Sequence, residues 1–374
     1  MNILYLTINP NRQSTTVPTE EWFKILGPKG LRPVLVSHTI GDFHRWALKN
    51  GIDAYQIDLS FPDKLRPWRF LKSLWHIRKL VIAHKIQLIH CNEQDVYPIG
   101  QYAARICHLP VVVTVHCKME RDFCKWAFKK KRQPEKIFFV SSGSMEVCRS
   151  ALNGIIPESK WKVLHNGLDL KYYKPDPVQR SLFREKYNSK SEFLIGVACA
   201  LRPGKQLEHL IEAVSRLHDL KLKVLLAGFS IPGDEIYARN IIEKANQKLG
   251  NKFIFLGRLD DLRKFYNGLD LCINTSLEES FSISVLEALA CGCPVVGYPS
   301  VTVSEAVLPS GGEILEQDNI DQLTRTVQQW LSNSERLASA RVNAHKQAEK
   351  FDIRKISEQL WREYQSILNG SNYK

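Results

Sequence analysis

Short, continuously apolar runs alternate with longer helical patterns along this chain, and the alternation occurs twice. The first set of apolar runs falls at residues 2–8, 33–37, 86–91, 110–115, 136–141 and 161–165. A second set falls at 193–199, 222–227, 253–256, 270–274 and 294–297. A run that is apolar at every position suits a strand covered on both faces, which is the situation of a parallel sheet sandwiched between helices. The pattern therefore predicts two Rossmann-like α/β domains. At 374 residues the chain is long enough for each to bury its own core. The polar, proline-bearing segment 174–180 is the expected linker. This gives an N-terminal domain over 1–174, a C-terminal domain over 175–350, and a last amphipathic segment over 351–374. That segment carries Leu360, Trp361, Tyr364 and Leu368 on one face and is followed by no strand.

Composition narrows the class. No stretch approaches 18 consecutive apolar residues and the chain opens directly on a strand, so neither a membrane-spanning helix nor a leader is expected. Nine cysteines form no C-x-x-C pair, which suits a reduced, cytoplasmic chain with buried thiols. Cys291 and Cys293 lack a partner cluster and read as packing residues rather than metal ligands. Residues 1–175 carry 27 Lys+Arg against 14 Asp+Glu, while the remainder has 25 of each. The whole net charge of +13 thus belongs to the first half, which would be drawn to an anionic surface or substrate.

The chemistry is concentrated between Glu279 and Gly297. A strand ends near Asn274, a loop carries Glu279, and Ser282 stands where a helix should start, with Gly292 and Pro294 punctuating its end. A helix start at Phe281, Ser282, Ile283 and Ser284 offers backbone N–H groups to a phosphate. Glu287, about one and a half turns further, is placed to accept hydrogen bonds from ribose hydroxyls. Glu279 would face whatever lies beyond the phosphates. Either glutamate alone would be ordinary; their spacing of eight is the informative part.

This run resembles the second-domain signature of family 4 glycosyltransferases, retaining enzymes with the two-domain GT-B fold. Phe281, Ala288, Gly292 and Pro294 match that signature around the glutamate pair, with Ser280 and Ser282 where the family usually has glycines. Asn166-Gly167-Leu168-Asp169, followed by Tyr172, Tyr173 and Pro175, resembles the segment that closes the first domain. Arg202 and Lys205 resemble the cations that meet the donor diphosphate, although Ala200 occupies the position, five before the lysine, that usually holds the arginine. Gly257, Arg258 and Leu259 resemble the segment beside the nucleobase. His116 matches the histidine facing the donor sugar, and His90 reads as structural or acceptor-side. The loop after the first strand carries Gln13, Ser14, Thr15 and Thr16 in place of the family's Gly-Gly pair, so the hydroxyls of Ser14, Thr15 and Thr16 become the acceptor-side groups.

The resemblance implies two Rossmann-like domains facing a central cleft, with the last helix crossing back to the first domain. It implies transfer of a sugar from a UDP- or GDP-sugar to a glycan or lipid-linked acceptor. His116 and Glu279 would be catalytic. Arg202, Lys205, Gly257, Arg258, Leu259, Ser280, Phe281, Ser282, Ile283 and Glu287 would bind the donor. No metal or cofactor is expected, because no Asp-x-Asp pair stands at a strand end and two cations with a helix dipole can offset the diphosphate. A sugar-nucleotide-binding protein with impaired catalysis is the alternative, suggested by Ala200 and the absent glycine pair. Nucleic acid is not an expected partner. Segments 66–79 and 125–132 interleave aromatics with cations and suggest peripheral contact with an anionic membrane on its inner face. The competing reading packs Trp75 and Ile77 into the core.

Overall fold

The computed structural model describes residues 1–12, 15–61, 65–129, 133–187, 192–277, 279 and 281–370. Contacts divide the chain into two compact units: Met1–Gly167 together with Ile353–Lys374, and Leu168–Asp352. Residues 168–174, expected in the first domain, pack with the second.

The first unit is built on a seven-stranded sheet of β1 (Asn2–Thr7), β2 (Arg32–Ser37), β3 (Asp53–Gln56), β4 (Leu88–Cys91), β5 (Val111–Val115), β6 (Lys136–Phe139) and β7 (Trp161–Val163). Its order is β3-β2-β1-β4-β5-β6-β7, and every pairing is parallel. The second unit holds β8 (Phe193–Leu201), β9 (Leu222–Ser230), β10 (Phe253–Gly257), β11 (Leu271–Asn274), β12 (Val295–Gly297) and β13 (Gly312–Ile314). These are parallel in the order β10-β9-β8-β11-β12-β13. Both are doubly wound α/β sheets, as the alternation predicts. The direction of winding reverses between β1 and β4 in one unit and between β8 and β11 in the other, and ligands of such sheets gather at the carboxyl ends of those strands.

Two strands escaped the sequence reading. Both β3 and β13 are edge strands of mixed polarity, DAYQ and GEI, and neither has a fully buried residue. Without two covered faces the sequence carries no apolar run to announce them.

The last helix, Ile353–Gly370, belongs to the first unit. It lays Ile353, Ile356, Leu360, Tyr364 and Ile367 among Tyr5, Phe23, Leu35 and Phe138, while Trp361 and Leu368, read on the same face, are only partly covered. At roughly 1.5–3 kcal/mol for each large buried side chain, this seam is a major part of the unit's cohesion. A chain of polar groups runs through it. The Tyr364 hydroxyl lies 2.5 Å from that of Tyr5 and 2.5 Å from His90 Nδ1, and His90 Nε2 lies 2.7 Å from Thr114 Oγ1. Burial pushes the His90 imidazole down to about 3, with the neighbouring His116 adding to the effect, so His90 is neutral and structural. The return of this helix also explains Gly167. A Cβ there would sit 2.7 Å from the Ile353 Cα, a contact that only glycine avoids.

Tyr364→Phe should orphan the Tyr5 hydroxyl and one His90 nitrogen inside the seam, and so destabilise the first unit by roughly 1–3 kcal/mol. Denaturant unfolding of that unit checks this; an unchanged midpoint would show that the network contributes nothing net.

Candidate functional site

In the second unit two loops meet at the switch point. After β8 the chain turns through Arg202, the 3-10 segment Pro203–Lys205 and Gln206, which takes a left-handed φ of 46° before the helix Leu207–Ser215. After β11 the chain passes through Thr275, Ser276 and Leu277 toward the helix Ile283–Ala290. Thr275 Oγ1 donates to the Lys205 carbonyl at 2.8 Å and the Leu277 N–H donates to the Gly204 carbonyl at 2.9 Å, which fastens the loops together. The consequence is an ion pair between the Lys205 ammonium and the Glu279 carboxylate, their side chains only 11% and 13% exposed. Ser276 Oγ donates to the same carboxylate at 3.0 Å. Beside the pair is a small recess lined in part by Cys199, Asn274 and Ser284. Arg202 stands exposed at the start of the same turn.

At the helix start, Ser282 occupies the N-cap position without capping. Its hydroxyl lies 3.2 Å from that of Ser284 and 3.5 Å from Asn274 Nδ2, and it meets no helix N–H. The Ile283 N–H donates to the Phe281 carbonyl at 3.1 Å. Phe281 itself is buried against Phe351, with ring centres 5.9 Å apart, so its side chain acts in packing. Ser280, expected on the donor, lies outside the described residues.

Glu287 is buried on that helix, and burial raises its carboxyl to about 7. The hydroxyls of Tyr173 and Tyr266 face it and pull in the opposite direction, while Asp261 adds to the rise. The Tyr173 hydroxyl is itself pushed far up by burial and by Glu287, so it remains a proton donor to the carboxylate. Tyr173 comes from the stretch just after the Asn166-Gly167 turn. Sequence reading noted it as part of a motif but did not give it this partner.

Gly257 ends β10 with a φ of 66° and room around it, Arg258 lies over the Phe229 ring at 5.1 Å, and Leu259 is half-buried. No described contact joins these residues to the Lys205–Glu279 pair.

The first unit has its own cluster at the ends of β1, β4 and β5. His116 Nε2 lies 2.8 Å from the Asn92 carbonyl; a carbonyl only accepts, so that nitrogen carries the proton and Nδ1 is left as an acceptor. Burial lowers the ring to about 4, which keeps it neutral. Glu93 is the centre of the cluster. Its carboxylate accepts from Thr7 Oγ1 at 2.8 Å, the Ile8 N–H at 3.1 Å, Asn9 Nδ2 at 3.2 Å and Asn92 Nδ2 at 3.0 Å. Burial raises its carboxyl despite these donors. Asn92 also donates to the Thr15 carbonyl at 3.1 Å and accepts from Thr19 at 2.9 Å. The Thr15 hydroxyl accepts from Asn9 Nδ2 at 3.3 Å, and the Thr16 hydroxyl donates to the Asn11 carbonyl at 2.9 Å. Both threonines thus spend bonds on holding the loop. Gln13 and Ser14 lie outside the described residues. Asn92 and Glu93 were not singled out from the sequence; the one signal is a polar pair just past a buried strand end.

Comparison with known proteins gives the family. Residues 29–172 match the family described as Glycosyltransferase Family 4, and residues 179–348 match Glycosyl transferases group 1. An uncharacterized glycosyltransferase, MJ1607, of Methanocaldococcus jannaschii is 28% identical over 288 residues, covering 69% of this chain and 70% of that protein. An Escherichia coli UDP-Gal:alpha-D-GlcNAc-diphosphoundecaprenol alpha-1,3-galactosyltransferase is 23% identical over 240 residues, covering 60% of this chain and 61% of the relative. Among solved structures, Anabaena Alr3699/HepE in complex with UDP superposes with a TM-score of 0.87 at 21% identity, over 98% of this chain and 100% of that one. With one family match over each parallel-sheet unit and that fold in common, the chain belongs to the family 4 glycosyltransferases of the GT-B fold.

Proposed function

We propose that this glycosyltransferase is a retaining, metal-independent enzyme that moves a hexose-type unit from a UDP- or GDP-sugar to a glycan or lipid-linked acceptor. The observation that carries the reading is the nearly buried Lys205–Glu279 pair at the carboxyl ends of β8 and β11. A diphosphate entering beside it competes with Glu279 for the ammonium. Lys205, with the exposed Arg202 on the same turn, then offsets the charge that builds on the leaving phosphate, a role a metal ion would otherwise fill. Glu279, released from the lysine, stabilises positive character at the anomeric carbon. In the transfer step the bond from that carbon to the phosphate oxygen breaks with its electron pair going to the diphosphate. The acceptor oxygen bonds on the same face, and the acceptor proton passes to the departing phosphate oxygen. Glu287 takes the ribose hydroxyls, steadied by Tyr173. His116, with Nε2 committed to Asn92, offers Nδ1 to a sugar hydroxyl. A nucleotide-binding protein without turnover is the weaker reading, because the relatives are named as transferases and Arg202 supplies a cation two residues beyond Ala200. A relative named for a diphosphoundecaprenol acceptor supports a place of action on the cytoplasmic side of a membrane.

Incubation with a panel of nucleotide sugars should release nucleoside diphosphate from at least one UDP- or GDP-sugar, with and without a chelator. Lys205→Ala should weaken binding of the nucleoside diphosphate by roughly 1.5–3 kcal/mol. Glu279→Gln should do the opposite to binding, tightening it by about 1 kcal/mol because the lysine loses its competitor, while lowering turnover. Calorimetry in which Glu279→Gln binds no tighter than the wild type would remove the competition from the mechanism.

Glu287 gives a pH signature. Its carboxyl, raised from the ordinary 4.5 to about 7, ionises as pH climbs through neutrality, and the ionised form is the better acceptor for ribose hydroxyls. Donor affinity should therefore rise between pH 6 and 8, by at most about tenfold per unit below 7, and level off above. Titration with an intact nucleotide sugar should show this dependence in the wild type. Glu287→Gln should bind more weakly and with a flat profile; a slope that survives the substitution would assign the titration to another group.

A further inference from the structure

The helix Pro67–Ala83 buries one face and leaves the other bare. Ser73, Leu74, Ile77 and Val81 are buried, Ile77 completely. On the opposite side Trp68 is 63% exposed, Leu71 62%, Trp75 50% and Ile82 63%. Steps of three and four along a helix keep to one face, so Trp68, Lys72, Trp75, Lys79 and Ile82 form a single stripe, flanked by Leu71 and Arg78. Large apolar side chains and cations therefore share one solvent face, and the core accounts for Ile77 but not for Trp75. Lys79 lies over the Trp75 ring, 3.5 Å from its centre, which leaves the ammonium at the outer surface of the stripe.

Charge along this helix is of one sign. From Leu65 to Lys85 the sequence contains Arg66, Arg69, Lys72, Arg78, Lys79 and Lys85 and no Asp or Glu. Arg69 pairs with Asp58 at 2.8 Å, which brings the following segment up to the first turn of the helix. Three residues on, Phe61 is 48% exposed and packs edge-on to Trp126, itself 39% exposed, with ring centres 5.4 Å apart. Chain reach keeps Phe61 within about 11 Å of Asp58, so this second aromatic pair adjoins the start of the stripe.

We infer that this face is a docking surface for an anionic lipid bilayer, with Trp68, Leu71, Trp75 and Ile82 seated at the headgroup boundary and the cations against the lipid charge. The inference rests on the proposed lipid-side acceptor only for its purpose; its geometry is independent of it. Nucleic acid would satisfy the cations but offers no apolar layer for four exposed large side chains on one helix. A bilayer interface satisfies both, and gains roughly 1 kcal/mol per cation near its surface. The contact inferred is peripheral; no helix among the described residues is long and apolar enough to cross a membrane.

Flotation of the full chain with vesicles tests this, comparing phosphatidylcholine alone with phosphatidylcholine containing phosphatidylglycerol, at low and high salt. The wild type should float with the anionic vesicles at low salt, release as salt rises and ignore the neutral ones. Lys72→Glu with Lys79→Glu should lower the partition coefficient about tenfold or more. Trp68→Ala with Trp75→Ala should weaken binding to the anionic vesicles at low salt, although every cation is kept. Both double variants, altered only at exposed positions, should keep wild-type nucleotide binding and thermal unfolding, so loss of flotation alone leaves the transferase reading intact. Three results would overturn the inference: no flotation of the wild type, equal flotation with both vesicle types, or preference for a single-stranded oligonucleotide over the anionic vesicles.

Discussion

Two parallel sheets covered on both faces set the terms for everything else in this protein. A strand such as β5, buried at every residue, has no solvent face on which to carry polar side chains. Groups able to do chemistry are displaced to the strand ends, and there the reversal of winding opens a gap. The Lys205–Glu279 pair at the ends of β8 and β11, and the Glu93–Asn92–His116 cluster at the ends of β1, β4 and β5, both occupy such places.

Buried charge alone does not mark function here. Asp270, also buried, pairs with Arg180 at 2.5 Å and Arg184 at 2.8 Å, and the arginines further donate to the carbonyls of Asn267, Gly268 and Leu269. That cluster fastens the helix Pro177–Lys186 to the sheet, where Asp270 also accepts from the Leu194 N–H at 2.8 Å. The Lys205–Glu279 pair differs because it borders a recess and its two halves come from separate loops. In the proposed mechanism a ligand opens this pair, whereas the Asp270 cluster, enclosed by backbone carbonyls, is a clamp.

The loop after β1 shows one local problem solved by other residues. Backbone amides freed by a glycine pair would be the usual device for anchoring a ligand there. In this chain the buried Glu93 carboxylate gathers Thr7, Ile8, Asn9 and Asn92, and Asn92 in turn holds Thr15 and, through its carbonyl, His116. The loop is thus fixed from beneath by a residue more than seventy positions away in sequence, and the same contact network decides which nitrogen of His116 carries its proton.

The two parallel-sheet units and the glutamate pair were legible in the residues alone. Apolar runs covered on two faces are visible without coordinates, and so is a pair of glutamates eight residues apart, because local periodicity and spacing are properties of the chain. Edge strands β3 and β13 were invisible for the complementary reason, having one uncovered side and no apolar run. Tertiary structure alone decided the partnerships. It joined Lys205 to Glu279 across 74 positions and Tyr173 to Glu287, turned Phe281 into packing, and showed that Trp75 faces solvent while Ile77, two residues on, is fully buried. Each of these depends on which distant segment occupies the neighbouring space, and sequence spacing along one strand or helix does not contain that information.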